Sequence, residues 1–345
     1  MLRKLTLSIC FALFSSTAWA NLPYLPIEFP RDEFAHYENT PYPVNNMTEW
    51  WYYNSRFTAK NGRKFGYYLN YSYIQLDLYG KKVQIPIFMI QITDIDNKKV
   101  YGKTIVPNIN ESHFSTTALD LAFGKDVTVK KIQNTYLLDG VVNPEKSGEP
   151  TLRFSIQTTP TINPLMINGT GMVDMWNNTN SYYYSYTDLN TTGYIQINDE
   201  KFEIDPKQSV MWMDHQWGDF VLIPGQATWF FSLIQLDNGM RLIVSLPYDS
   251  KTKQYYDGYA SIVMPDNTRI HTKNPKLSVR LEASQQFPQH YDVEIPEINL
   301  RLSLDSYVDN QNINMISEAA SAASGFWNGN PVKGSANVES TVIYK

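Results

Sequence analysis

Short runs of β-forming residues alternate with turn residues along most of the chain, and this pattern is the strongest constraint on its fold. Residues 50–58 and 64–73 form two such runs, and Asn61-Gly62 between them is a strong hairpin signal. Only residues 316–323 have the apolar spacing that predicts a short helix. Many short strands at regular spacing are typical of barrels and sandwiches, so we predict an all-β, antiparallel fold.

The chain is long enough to need more than one hydrophobic core. Its 345 residues exceed what a single core usually organises, so we expect two domains. Turn-forming residues cluster between Asn198 and Ser209, which places the N-terminal domain at residues 21–205 and the C-terminal domain at residues 206–345. Because no low-complexity linker separates them, we expect tight packing and an interface of the kind in which ligand sites often form.

Residues 1–20 have the three parts of a secretory signal peptide. The segment begins with positive charge, continues with an apolar stretch over residues 5–14 and ends with a small-residue cleavage site at Ala20. The sole cysteine, Cys10, lies in this segment, so we expect an exported protein, periplasmic or secreted, without disulfides or thiol chemistry. No later stretch reaches the roughly 18 to 20 uncharged residues that span a bilayer, and we expect no integral membrane association.

The charge balance argues against two classes of partner. The chain has 29 Lys and Arg against 34 Asp and Glu, a net charge of −5, and no basic block. We therefore expect no binding to nucleic acid or to an anionic membrane surface. By contrast, 24 Tyr, 16 Phe and 8 Trp suit a concave site for a hydrophobic small molecule, which is the partner we expect. The alternative is that these aromatic residues are simply good strand formers.

The segment Glu49-Trp50-Trp51-Tyr52-Tyr53 is the first candidate site. On a strand, Glu49 and Trp51 share one face with Tyr53, while Trp50 and Tyr52 share the other. A carboxyl group buried beside aromatic rings has a raised pKa, which suits a general acid. The alternative is that Glu49 accepts hydrogen bonds from loop amides at a barrel rim.

The segment from Trp212 to Phe220 is the second candidate site. Alternation places Asp214 on the opposite face of the strand from His215 and Trp217. A histidine against an apolar ring can donate or accept a proton near neutral pH, although a lone histidine is more often structural. Asp214 could orient the imidazole only through a bend, because neighbouring strand residues point apart.

The common motifs of cofactor-dependent and nucleophilic enzymes are missing from the sequence. It contains no Gly-x-Ser-x-Gly elbow, no His-Glu-x-x-His, no phosphate-binding glycine loop and no dinucleotide fingerprint. The five histidines are widely scattered, so a metal triad would need to be assembled across the fold. We expect no cofactor and no metal.

Six segments carry a resemblance to a known superfamily. They are Glu49-Trp50-Trp51-Tyr52, Gly62-Arg63-Lys64-Phe65-Gly66-Tyr67, Trp212-Met213-Asp214-His215-Gln216-Trp217-Gly218, residues 229–239, Phe326-Trp327-Asn328-Gly329 and Val332-Lys333-Gly334. In order and spacing they resemble the lipocalin-like hydratase superfamily, which includes hydroxyneurosporene synthase (the carotenoid hydratase), kievitone hydratase and fungal Diels-Alder cyclases. The resemblance implies two consecutive lipocalin-like β-barrel domains, with a hydrophobic ligand held in or between them.

The resemblance also implies roles for particular residues. It links Asp214, His215 and Trp217 to hydratase function, because alkene protonation needs an acid and aromatic faces stabilise the cation. The sequence departs from the superfamily pattern at two points. Residues 227–235 lack the acid that hydratases carry on the strand after the motif, and Asn328 replaces the usual glutamate.

Our leading interpretation is therefore a cofactor-independent hydratase that adds water to a C=C bond of an isoprenoid-like or polyketide-like molecule. Glu49 or His215 would act as acid or base, with Asp214 as the orienting or electrostatic partner. The predicted pocket wall consists of Trp50, Trp51, Tyr52, Trp212, Trp217 and Trp229. The alternatives are a non-catalytic carrier of a hydrophobic ligand and a pericyclase or isomerase on the same fold.

Overall fold

The computed structural model describes most of the chain. The described residues are 25–37, 47–78, 80–175, 179–220, 228–281, 286–313 and 316–342. The predicted signal peptide, residues 1–20, lies outside them.

The first sheet contains thirteen antiparallel strands. In chain order they are β1 (Met47–Ala59), β2 (Lys64–Leu78), β3 (Lys81–Asp94), β4 (Lys99–Ile105), β5 (His113–Phe114), β6 (Asp120–Phe123), β7 (Val127–Ile132), β8 (Thr135–Val142), β9 (Leu152–Pro160), β10 (Leu165–Met166), β11 (Met172–Met175), β12 (Thr179–Ile197) and β13 (Glu200–Gly218). The order across the sheet is β4-β3-β2-β1-β13-β12-β9-β8-β7-β6-β5, and β10 and β11 pair with β12.

The second sheet contains the remaining eleven described strands. They are β14 (Thr228–Leu236), β15 (Arg241–Asp249), β16 (Gln254–Tyr255), β17 (Tyr259–Val263), β18 (Arg269–Thr272), β19 (Lys276–Arg280), β20 (His290–Ile295), β21 (Leu300–Ser306), β22 (Asn312–Ile313), β23 (Ile316–Trp327) and β24 (Asn330–Ser340). The order is β18-β17-β15-β14-β24-β23-β21-β20-β19, with β16 on β15 and β22 on β23.

The two sheets share one feature of strand order. In each, the first strand lies beside the last in the middle of the sheet, β1 beside β13 and β14 beside β24. The sheets curl into two half-barrels, and the predicted class of two consecutive lipocalin-like antiparallel domains is confirmed. Period-two side-chain alternation then gives each sheet one face toward its own interior and one toward its neighbour.

Three hydrophobic clusters follow from that alternation. The interior of the first sheet is packed with aromatic side chains such as Trp51, Tyr53 and Trp217. The interior of the second sheet is more aliphatic, with Ile234, Leu242 and other branched residues. A third cluster lies between the sheets and contains residues from both, including Tyr52, Trp212 and Leu233. Burial of this third cluster joins the two domains.

The short helix predicted at residues 316–323 is wrong, because these residues begin β23. The alanine-rich sequence has high helix propensity, but β23 is hydrogen-bonded on both sides, to β21 and to β24. Two full ladders of backbone hydrogen bonds and burial outweigh a weak local preference. Among the described residues, no helix is long and apolar enough to span a membrane.

The domain boundary expected between residues 205 and 206 falls inside β13. Near this point, Phe57 pairs with Ser209 while Ala59 pairs with Ile204, so the register shifts in a bulge. A strand tolerates Pro206 at such a bulge, where a ladder hydrogen bond is already lost. The change from one sheet to the other therefore comes after Gly218 and before Thr228.

Two small residues from the two sheets meet at the interface. Gly66 of β2 is buried, and a Cβ placed on it would lie 2.6 Å from the Cβ of Ala320 on β23. Real Cβ atoms do not approach so closely, so the absence of a side chain at Gly66 sets the spacing between the sheets.

The substitution Gly66→Ala should therefore overpack the interface and lower the free energy of unfolding by about 1–3 kcal/mol. Chemical denaturation measures this loss. The double substitution Gly66→Ala with Ala320→Gly removes the clashing atom and should restore much of the stability. Equal losses in the single and double variants would contradict the proposed contact.

Candidate functional site

Strand β13 carries two sets of polar side chains on opposite faces. His215 and Trp217 point into the first half-barrel, whereas Trp212 and Asp214 face the second sheet. All four are at least 98% buried. The alternation predicted from the sequence is confirmed, and it separates Asp214 from His215.

The side chains of strand β1 also alternate between the two faces of the sheet. Glu49 and Trp51 point into the half-barrel, and Trp50 and Tyr52 face the second sheet. Because β1 pairs with β13, the predicted site becomes two sites on either side of one sheet. We name them the barrel cluster and the inter-sheet cluster. The barrel cluster is His36, Glu49 and His215 with Asp32; the inter-sheet cluster is Glu318 and Glu339 with Tyr52, Asn337, Trp229 and Asp214.

The barrel cluster is centred on one carboxylate oxygen. Oε1 of Glu49 lies 2.6 Å from Nδ1 of His36 and 2.8 Å from Nε2 of His215. Its second oxygen, Oε2, accepts a hydrogen bond of 2.9 Å from the backbone N–H of His36. Burial alone would raise the pKa of Glu49, but the charge of His36 and the hydrogen bonds from both imidazoles outweigh burial and lower it.

The two imidazoles respond differently to the same environment. Burial lowers the pKa of His215, and the contact with Glu49 only partly offsets that effect. Burial also acts on His36, but two carboxylates, Glu49 and Asp32, raise the pKa of His36 above its ordinary value. The arrangement therefore favours a charged His36, an ionised Glu49 and a neutral His215.

His36 comes from the N-terminal segment, residues 25–37, which packs against the interior cluster of the first half-barrel. Nε2 of His36 lies 3.4 Å from Oδ1 of Asp32, and Arg31 pairs with Asp32 at 2.7 Å. The segment is also held by Trp51, whose Nε1 donates to the backbone oxygen of Glu33 at 3.1 Å. His36 was not among the predicted site residues, because it lies thirteen residues before Glu49 and no sequence motif connects the two.

Aromatic rings surround the barrel cluster. Trp51 stacks on His215 with centroids 4.6 Å apart, and Trp217 stacks on His36 at 4.2 Å. The hydroxyl of Tyr184 lies 3.2 Å from Nδ1 of His215. The rings exclude water and hold both imidazoles in place, as expected for a desolvated site.

Asp214 belongs to the other face of the sheet. It accepts hydrogen bonds from Tyr183 Oη at 2.7 Å, from Trp212 Nε1 at 2.7 Å and from the hydroxyl of Ser185. Burial raises the pKa of Asp214 to about 7 even though these donors oppose the shift. Asp214 does not orient His215, because adjacent strand residues point apart; Glu49 takes that role.

Two glutamates, Glu318 of β23 and Glu339 of β24, form the centre of the inter-sheet cluster and stand directly opposite each other. Tyr52 Oη and Asn337 Nδ2 donate to Oε2 of Glu318 at 3.0 and 2.9 Å. The indole N–H of Trp229 donates to Oε1 of Glu339. Glu318 is 1% exposed, whereas Glu339 is partly exposed and lies on the side of the pair that solvent reaches.

The surroundings of the two glutamates favour their protonated forms. Burial raises the pKa of both carboxyl groups, and the neighbouring charge of Glu339 raises that of Glu318 further. Oε1 of Glu318 is buried without a donor among the described groups. A proton held between the carboxyl groups satisfies this oxygen and removes the repulsion of two buried like charges.

The strand after the Trp-Met-Asp-His motif lacks an acid, but a glutamate stands opposite it on a neighbouring strand. Residues 228–236 contain no carboxylate, but Phe231 on that strand pairs directly with Glu339. Glu318 was not among the predicted site residues, because residues 316–323 were predicted to form a helix. Had residues 316–327 been interpreted as a strand, side-chain alternation would have placed Glu318 on one defined face.

A small cavity lies between the sheets near the acid pair. Its volume is about 10 Å³, room for no more than a water molecule, and its lining includes Asn337, the residue that donates to Glu318. Its lining residues are Asn54, Ser55, Arg56, Leu233, Gln235, Ala320, Ser335, Ala336 and Asn337. On the accessible side, the aromatic rings of Trp229, Phe231 and Tyr259 are partly exposed.

Comparison with known proteins identifies the family. The sequence matches the family described as AttH-like over residues 21–340, which is most of the chain. The chain belongs to the AttH-like family. The relationship to the hydratase superfamily that the motifs indicated is thereby confirmed.

Solved structures share the fold of this AttH-like protein at low sequence identity. A protein of Nitrosomonas europaea assigned to AttH has a TM-score of 0.73 at 16% identity, over 92% of this chain and 97% of that chain. Kievitone hydratase of Nectria haematococca has a TM-score of 0.68 at 18% identity, over 86% and 89%. CghA with Sch210972 has a TM-score of 0.60 at 11% identity, over 87% and 89%.

A shorter sequence match exists to Dehydratase asqC of Emericella nidulans. This AttH-like protein is 36% identical to it over 73 residues, which are 21% of each chain. The match thus spans about a fifth of the length of that curated relative.

The carboxyl pair predicts how the stability of this AttH-like protein depends on pH. Both glutamates have a pKa above the ordinary 4.5 in the folded state, so the unfolded chain releases their protons first. The stabilisation is full below pH 4.5 and is lost as the pH rises through the folded-state pKa values. Urea unfolding at pH values from about 4 to 8 should show this decline.

The substitution Glu339→Gln removes one member of the pair and should make the decline shallower. Glu145→Gln, at an exposed position, is the matched control and should leave the slope unchanged. If Glu339→Gln also leaves it unchanged, the two carboxyl groups do not share a proton in the folded protein.

Proposed function

We propose that this AttH-like protein is a hydro-lyase that adds water to, or removes it from, a hydrophobic unsaturated small molecule, and that Glu318 and Glu339 supply the proton. The observation that carries the proposal is the direct pairing of Glu318 with Glu339 between the sheets, where burial raises the pKa of both carboxyl groups. A carboxylic acid that burial keeps protonated is available as a general acid at neutral pH.

The proposed step begins with a substrate alkene against the partly exposed rings of Trp229 and Phe231, beside Glu339. A proton moves from the carboxyl pair to one alkene carbon, and the adjacent carbon becomes cationic. Water then attacks the cation, its oxygen forms the new C–O bond, and its surplus proton returns to the carboxylate. One water molecule is added in the balance, and the reverse sequence is a dehydration.

The surroundings of the pair fit an apolar substrate. The partly exposed rings of Trp229, Phe231 and Tyr259 offer π-faces that stabilise a carbocation. Tyr183 packs against Phe231 with centroids 6.3 Å apart, and its hydroxyl donates to Asp214. The reaction as written uses only these side chains and water, so we propose that it needs no cofactor.

The relatives support the same type of reaction. Kievitone hydratase shares the fold, and Dehydratase asqC shares part of the sequence; both names describe the gain or loss of water. We extend this chemistry to an isoprenoid-like or polyketide-like substrate. We also propose that the protein is exported to a periplasm or beyond the cell, since residues 1–20 have the pattern of a signal peptide.

Substitution of either glutamate by glutamine should abolish turnover while keeping the ligand bound. Glu318→Gln keeps the shape of the protonated acid, so we expect a loss of about 10²–10⁴-fold in kcat with a small change in binding. The assay incubates a panel of unsaturated apolar small molecules, including kievitone, in heavy-oxygen water and detects incorporation by mass spectrometry. Glu294→Gln, on the outside of β20, is the control for a surface glutamate.

Different outcomes distinguish the alternatives. Unchanged turnover in Glu318→Gln and Glu339→Gln, together with lost turnover in Glu49→Gln and His215→Gln, would move the chemistry to the barrel cluster predicted from the sequence. Ligand binding without heavy-oxygen incorporation in any variant would indicate a carrier. Conversion to an isomer of unchanged mass would indicate a pericyclase or isomerase.

A further inference from the structure

The barrel cluster has the composition and arrangement of a metal site. We propose that His36, Glu49 and His215 bind one divalent transition-metal ion, with Zn²⁺ as the first choice. The site is separate from the acid pair between the sheets, so the proposal does not depend on the proposed function. It replaces the expectation of no metal, which rested on the wide spacing of the histidines.

The three ligand atoms converge on one point inside the half-barrel. Nδ1 of His36, Nε2 of His215 and a carboxylate oxygen of Glu49 all lie within 4.8 Å of one another. The ligands of a tetrahedral zinc ion at about 2.0–2.1 Å are roughly 3.3 Å apart. The distances from Glu49 Oε1 to the two nitrogens, 2.6 and 2.8 Å, need only a small outward shift to reach that spacing.

The second polar atom of each ligand already has a partner. Nε2 of His36 faces Asp32 Oδ1 at 3.4 Å, and Nδ1 of His215 faces the hydroxyl of Tyr184 at 3.2 Å. Oε2 of Glu49 accepts the backbone N–H of His36 at 2.9 Å. Metal-binding histidines typically donate their other N–H to a carboxylate or another oxygen, which fixes the tautomer and the ring. The two nitrogens that face Glu49 donate to it in the present structure, so metal binding would displace those protons, while Asp32 and the Tyr184 hydroxyl stay placed to partner the other ring nitrogens.

The donor set and its charge select the kind of ion. Two imidazole nitrogens and one carboxylate oxygen suit Zn²⁺ and its first-row neighbours, whereas Ca²⁺ and Mg²⁺ prefer sites made of oxygen. The carboxylate of Glu49 is fully buried and would offset part of the charge of a divalent cation, whereas the buried carboxylate of Asp32 is already paired with Arg31 at 2.7 Å. The three ligands are at most 4% exposed, so the ion would be shielded from bulk water.

Metal binding at this point would clamp three separate parts of the chain. His36 lies in the N-terminal segment, Glu49 in β1 and His215 in β13. The ion would hold the N-terminal segment against the interior of the half-barrel. It would also stiffen β13, whose other face carries Asp214 into the inter-sheet cluster.

Metal analysis of the intact protein tests the proposal without any activity assay. Protein produced in zinc-supplemented medium, without a histidine tag, should contain one Zn²⁺ per chain by inductively coupled plasma mass spectrometry. His36→Gln and His215→Gln should each reduce the content at least tenfold. The control His113→Gln changes an exposed histidine and should keep the full content.

Two further measurements keep the test decisive if a ligand variant misfolds. Wild-type protein produced with Co²⁺ should show the visible absorption bands of a low-symmetry cobalt site. Asp32→Asn leaves all three ligands in place and should weaken binding about 10–100-fold in a chelator competition.

Wild-type protein with no more Zn²⁺ than the His36→Gln variant, or without cobalt absorption bands, would overturn the proposal. Retained metal in both histidine variants would also overturn it, because the ion would then lie elsewhere. Either result would leave the proposed hydro-lyase chemistry at Glu318 and Glu339 untouched.

Discussion

The pairing of β1 with β13 is the interaction on which both candidate sites depend. Its register sets Glu49 opposite Trp217, Trp51 opposite His215 and Tyr52 opposite Asp214. Because successive side chains alternate between faces, one strand pair delivers aromatic and titratable groups to the barrel interior and to the interface at the same time. A shift of one residue would exchange the two faces and dismantle both clusters.

Both clusters bury titratable groups at a considerable cost in solvation, and each offsets that cost in its own way. The barrel cluster surrounds Glu49 with two imidazoles, so its charge is compensated. The inter-sheet cluster instead favours protonation of the pair Glu318 and Glu339, because burial raises the pKa of both carboxyl groups. Apolar residues would fill the same space without this cost in solvation, and buried carboxyl groups with perturbed pKa values are therefore candidates for function.

The errors of the sequence analysis share a physical origin. Residues 316–323 have a helix-like local composition, and Pro206 has a strong local preference for a turn, yet both lie in strands. Local preferences of about 1 kcal/mol per residue are weak beside the backbone ladders and burial that a sheet supplies. The fold class and the faces of β1 and β13 were predictable because they depend on side-chain alternation, a property of the strand itself.

The sequence by itself determined the β class and the family motifs. It also determined that Glu49 and Tyr52 lie on opposite faces of their strand, as do His215 and Asp214. Only the tertiary structure decided which groups meet. His36 joins His215 across 179 residues because the N-terminal segment packs against the interior of the half-barrel, and Glu318 meets Tyr52 because two sheets pack face to face. Strand order and sheet packing arise from long-range burial, which leaves no periodic trace in the chain.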